Sequence, residues 1–228
     1  MFPKKHFSPN PVLYCIVFYI LFSLLLFALT KRTIHVMMLW NLLLAFLPLF
    51  IAVCMCLADS ARDWLRTWML GLLWLVFFPN APYLVTDFIH LQGIYFYTTG
   101  KSIVYSSDFL SWLSLIHIGI GTFVGTCSGM LSMWIIHHRF LQKFASPIVS
   151  IIMSLIFITS GCAMYIGRFL RLNSWDIFYP TTFLSRVTHH VNAFSIGFSL
   201  LSACYIFMTY YFFSVLFTAI ARLGEHLR

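Results

Sequence analysis

From Val12 to Thr30 the chain carries no charged side chain, and apolar runs of similar length recur through the rest of the sequence. About 20 apolar residues in a helix span the roughly 30 Å of a bilayer's hydrocarbon core. Backbone in lipid must satisfy its own N–H and C=O groups, so repeated runs of this kind restrict the chain to spanning helices. Composition points the same way. Of 228 residues, 61% are hydrophobic and only 9% are charged, too few to cover a soluble globule of that size. The expectation is an all-α polytopic transmembrane helix bundle of about six spans, at residues 12–30, 34–58, 67–85, 109–136, 147–167 and 191–221, in a single membrane domain over 1–228. The third span is expected to break at Pro-Asn-Ala-Pro.

Lys4, Lys5 and His6 precede the first run as in a signal peptide. Signal-peptide apolar regions are only about 7 to 15 residues long and end at a small-x-small site. This run ends Ala28-Leu29-Thr30-Lys31-Arg32, so it reads as an uncleaved first span. A net charge of +8 would suggest nucleic acid in a soluble protein. Here the basic residues are spread thinly between apolar runs, so nucleic acid is excluded as a partner. Their roles are topology and anionic lipid. With six spans and the N-terminus inside, eight of the 14 Lys and Arg residues lie on the side of the termini. Both termini are therefore expected on the cytoplasmic side of the membrane. All six cysteines fall inside apolar runs, which suggests neither disulfides nor a zinc site.

Two polar stretches interrupt this pattern. The first is FPNAPYLVTDFIHL, from Phe78 to Leu91. Pro79 and Pro82 lack N–H groups and would free the carbonyls of Leu75 and Phe78, a break that often marks a binding site in membrane helices. If helix resumes after it, Asn80, Tyr83, Asp87 and His90 form one polar stripe. The second stretch is GRFLRLNSWD, from Gly167 to Asp176. Arg168, Arg171 and Trp175 share a face if the fifth helix continues; alternatively Asn173 and Ser174 end one helix and cap another. The ends of the third and fifth spans are separated by one hairpin and emerge on the same face. Asp87, His90, Arg168, Arg171, Asp176, His189 and His190 can therefore meet, in one polar cavity on the non-cytoplasmic side.

Two structural features accompany these stretches. Gly121, Gly125 and Gly129 make a ridge at four-residue spacing in the fourth span, read as a close-packing surface. His117, inside the same span, is either a buried histidine bonded to backbone or part of a proton relay or ligand site.

Taken in order and with their separation, PNAPYLVTDFIHL and GRFLRLNSWD resemble the bacterial membrane family known as domain-of-unknown-function family 1361. The resemblance covers nearly the whole chain. It implies a bacterial multi-span protein and assigns no catalysis. The residues it marks are Pro79, Asn80, Pro82, Tyr83, Asp87 and His90, with Gly167, Arg168, Arg171, Asn173, Trp175 and Asp176.

The residues themselves support a binding or transport protein in which Arg168 and Arg171 clamp an anionic or lipid-like small molecule. Arginine offers bidentate geometry to phosphate and carboxylate. One alternative is a membrane-embedded hydrolase or transferase acting on a lipid-linked phosphate, with Asp87, His90 and Asp176 as acid-base or metal-binding groups. Another is a structural or assembly subunit whose charges pair with one another. No cofactor is evident and no metal site is predicted. The expected partners are membrane lipids and, on the binding reading, an anionic small molecule or lipid-linked substrate; oligomeric state is left open.

Overall fold

A computed structural model describes residues 10–57, 64–100, 102–172, 176 and 178–226. The helices are α1 (Asn10–Thr30), α2 (Ile34–Leu57), α3 (Trp64–Phe77), α4 (Asn80–Tyr83), α5 (Phe109–Ile136), α6 (Ser146–Tyr165), α7 (Pro180–His189) and α8 (Ala193–His226). A 3-10 segment, Leu84–Leu91, follows α4. Single π turns, His137–Leu141 and Ile166–Leu170, extend α5 and α6. Among the described residues, six stretches are long and apolar enough to cross a membrane: Leu13–Thr30, Ile34–Leu57, Trp64–Leu91, Phe109–Leu141, Ser146–Leu170 and Ala193–Gly224. The protein is an all-α, multi-pass membrane protein.

The chain separates into two compact units, Met1–Asn41 with Asp87–Gly121, and Leu42–Thr86 with Thr122–Arg228. In the first unit α1 stops at Thr30, whose hydroxyl donates to the carbonyl of Leu26 at 2.7 Å and accepts the Arg32 N–H at 3.2 Å. Lys31 turns the chain with a φ of 56°, a left-handed conformation that side chains other than glycine seldom adopt. Leu26, Ile34, Met38 and Ile118 are buried apolar residues of this unit. A Cβ at Gly121 would overlap the Tyr19 hydroxyl and the Met38 methyl group.

Between the 3-10 segment and α5 the chain makes a short antiparallel hairpin, β1 (Tyr97–Thr99) with β2 (Ile103–Tyr105), in register Tyr97 to Tyr105. The amino-acid pattern places this aromatic stretch at the headgroup level without assigning it strands. Trp112 anchors the hairpin's end to α5. Its indole N–H donates to the Ser106 carbonyl at 2.9 Å, and its ring meets Phe96 edge-on at 5.3 Å.

The core of the second unit includes Trp74, Phe78, Met130, Met133, Met153, Phe157, Ile206 and Tyr210. α6 packs against α8. The two helices approach closely at Gly161, where a Cβ would overlap the Ser199 carbonyl and lie 2.9 Å from the Ala203 nitrogen. Small residues let helix backbones approach this closely where lipid offers no hydrophobic drive for association.

Candidate functional site

The proline break positions the first group of site residues. α3 ends at Phe77, and Pro79 and Pro82 leave only a four-residue α4 before the backbone tightens into a 3-10 helix. The carbonyls around the break find partners inside the protein. Phe78 accepts the Ala81 N–H at 3.2 Å, and the Asn80 side chain turns back to donate to the Phe77 carbonyl at 2.9 Å. Thr86 donates to the Tyr83 carbonyl at 2.7 Å, and Thr122 donates to that of Leu84 at 3.2 Å. Asn80 thus mends the helix end.

Gly125 and Gly129 make room for the same segment. A Cβ at Gly129 would overlap that of Ala81, and one at Gly125 would overlap Leu84. These two glycines of the ridge receive the broken span. Pro82 and Leu84 are buried with Ala81, whereas Tyr83 and Thr86 remain partly accessible.

Arg168 lies in the π turn at the end of α6, against this segment. Its Nε donates to the Thr86 hydroxyl oxygen at 2.9 Å, its Nη2 donates to the same oxygen, and its guanidinium lies over the Tyr83 ring, 4.5 Å from the centroid. Because the Thr86 proton goes to the Tyr83 carbonyl, the oxygen's lone pairs face the guanidinium. A Cβ at Gly167 would meet the Tyr83 ring at 3.4 Å, an ordinary contact, so the approach does not depend on glycine there. Arg171 then ends the helix with a φ of 54° and an exposed side chain, so the helix stops before the polar stretch is complete. Arg168 and Arg171 therefore do not continue one regular helical face.

The neighbourhood is aromatic. Phe169 stacks on Tyr165 at 5.2 Å and meets Phe194 and Phe198 edge-on at 5.1 and 5.0 Å. Asp176 is partly buried, and its carbonyl accepts the Tyr179 N–H at 3.0 Å. His189 and His190 are exposed, with the His190 ring bonded to the Arg186 carbonyl at 2.7 Å. Asn173 and Trp175 lie outside the described residues.

Asp87 and His90 belong to the other unit. The three-residue turn of the 3-10 helix stacks them one above the other. Asp87 is buried and accepts a hydrogen bond from Asn41 at 2.8 Å, while His90 is partly accessible. Among the described residues no three His, Cys, Asp or Glu side chains gather to hold a metal ion.

The first unit also holds residues that the two polar motifs do not contain. His117 is joined by His35, with their Nδ1 atoms 3.1 Å apart, and by Ser23, Ser114 and Tyr19. His35 carried the same signal as His117, an ionisable side chain inside an apolar run, and Asn41, six residues later, is a polar side chain in the same run.

A family model described as "Protein of unknown function (DUF1361)" matches residues 40–217. The chain belongs to this family. Neither a curated protein nor a solved structure matches it. The stretch of the DUF1361 match takes in the proline break, Arg168, Arg171 and His117, whereas Tyr19, Ser23 and His35 precede it.

Proposed function

We propose that this DUF1361 protein binds or transports an anionic or lipid-like small molecule, with Arg168 and Arg171 recognising its phosphate or carboxylate. We place it in a bacterial cytoplasmic membrane with both termini cytoplasmic and the arginines on the opposite side. The observation that carries the reading is the fixed orientation of Arg168, held between the Tyr83 ring and the Thr86 hydroxyl. A guanidinium oriented in advance loses little freedom on meeting an anion, and its planar fork suits phosphate and carboxylate. Arg171, exposed three residues further on, adds a second positive charge. The aromatic group around Phe169 suits the apolar part of a lipid-like ligand.

The test is native mass spectrometry of the full chain released gently from its membrane. An anionic lipid or metabolite should accompany the wild type and be lost in Arg171→Ala, whose exposed side chain can be removed without opening the core. Arg168→Lys, which keeps the charge and removes the fork, should weaken retention. Identical ligand content in the wild type and both folded variants would overturn the reading.

A further inference from the structure

We propose that His35 and His117 form a proton-binding site inside the membrane-spanning part of the protein, in which the two rings together hold one extra proton. The site is independent of the arginines and lies in the first unit. His35, His117 and Ser23 have 0% of their surface accessible, and Ser114 has 2%. The rings face each other through Nδ1 at 3.1 Å, a hydrogen-bond distance that requires one proton between them. The outward nitrogens each face a serine, His117 Nε2 to Ser23 Oγ at 2.7 Å and His35 Nε2 to Ser114 Oγ at 3.3 Å. Each serine also reaches a carbonyl of its own helix, Ser23 to Tyr19 at 2.7 Å and Ser114 to Leu110 at 2.9 Å.

Counting protons along this row gives two satisfied states. A serine has one hydroxyl proton. When both serines give theirs to the helix carbonyls, each Nε2 must supply its own proton, and a third lies between the Nδ1 atoms. Three ring protons on two imidazoles make a singly charged pair. When one serine turns its hydroxyl toward its ring, that Nε2 becomes an acceptor and two ring protons suffice, so the pair is neutral. Either serine can turn, giving two neutral arrangements that differ only in the direction of the hydrogen bonds. No heavy atom has to move, and no buried donor or acceptor in the row is orphaned in any state. A buried histidine serving only to fill space has no need of a partner that can change its proton count.

The aromatic rings beside His117 suit the charged state, and Arg32, a like charge near His35, opposes it. The Tyr19 ring stacks on His117 at 4.8 Å with 6° between planes, and Phe22 meets it edge-on at 5.4 Å. An aromatic face attracts a cation. The charged and titratable groups coupled to the pair come from each neighbouring element. Tyr19 on α1 is one, and Arg32 in the α1–α2 turn acts electrostatically on His35 and on Asp108. Asp87 in the 3-10 segment acts on Tyr19. A proton fits better than a metal ion, because among the described residues no third His, Cys, Asp or Glu joins the two rings.

The experiment is ¹⁵N NMR of the full chain in lipid with labelled histidine, titrated over about pH 8 to 4, around the ordinary histidine value of about 6.5. The Nδ1–Nδ1 proximity identifies the pair in the wild type through a ring-to-ring dipolar correlation, so no substitution has to fold. Both rings should shift together, with one midpoint and one proton taken up per pair, and their Nδ1 signals should average between protonated and free values. Ser114→Ala removes one of the hydroxyls that can turn, and should move that shared midpoint. The proposal is overturned if both rings stay neutral throughout the range in which the protein remains folded, or if each takes up its own proton at its own midpoint.

Discussion

Asp108 begins α5 by accepting the Leu110 N–H at 3.2 Å and the Ser111 hydroxyl, satisfying donors that a helix start leaves open. The Ser111 hydroxyl is the chief cause holding its carboxyl below the usual range. The N–H groups of Leu110 and Ser111 and the charge of Arg32 add to it, and together they outweigh the opposing desolvation. A depressed folded-state pKa stabilises the fold above the unfolded value of about 3.9, and that contribution is lost as pH falls through the folded value. The protection factors of amides in the first turn of α5, which take out the intrinsic pH dependence of exchange, should therefore be constant from neutral pH down to about 4 and fall below it. Asp108→Asn, an equally good cap, should remove the pH step and keep the protection. A step that persists in Asp108→Asn would assign it to another group. The cap is a local feature, an acidic residue just before an apolar run, with a carboxylate that reaches the first N–H groups of the helix. The partners of Arg168 are not local, because Thr86 is 82 residues away and nothing in the chain's periodicity brings the two together. The same holds for His35 and His117, 82 residues apart.

At the scale of elements, the long apolar helices are legible because lipid leaves the backbone so few options. The break at Pro79 and Pro82 is legible as a loss of N–H donors. The conformation of the chain beyond Pro82 is not, since regular α-helix and a 3-10 turn accept the same residues and tertiary packing chooses between them. The glycine ridge shows this dependence most directly. Its spacing announces a close approach, but only the fold identifies Ala81 and Leu84 as the side chains that fill Gly129 and Gly125. Gly129→Ala should therefore destabilise the protein by about 1–3 kcal/mol, the usual cost of overpacking, through collision with the Ala81 methyl. Adding Ala81→Gly should recover a large part of that loss, because the second change removes the atom that the first one strikes. Gly119→Ala, where a Cβ would meet nothing within 4 Å, is the control and should be near neutral. Thermal unfolding in one detergent would compare five proteins: the wild type, Gly129→Ala, Ala81→Gly, the double variant and the Gly119→Ala control. Additive losses in the double variant would mean that Ala81 is not what limits Gly129.

For the whole molecule, the proposed topology has all six apolar stretches crossing, which would return both ends of the chain to the same side of the membrane. The excess of Lys and Arg on that side argues that it is the cytoplasm. This orientation decides where the proposed anion site opens. On that proposed topology the hairpin Tyr97–Tyr105 and α7 each follow an odd-numbered spanning stretch, which is why a reporter in either should read the side opposite the termini. A reporter enzyme that is active only outside the cytoplasm should be inactive when fused at either end of the chain. The same enzyme should be active when inserted in the hairpin or within α7. A reporter that fluoresces only in the cytoplasm should give the complementary pattern. Opposite signals from the two ends would contradict the six crossings. Reversed signals at every position would preserve the crossings and place Arg168 and Arg171 toward the cytoplasm. The ligand would then be sought among cytoplasmic anions and inner-leaflet lipids, and the positive charge on the other side would need a local cause such as anionic headgroups held by those basic residues.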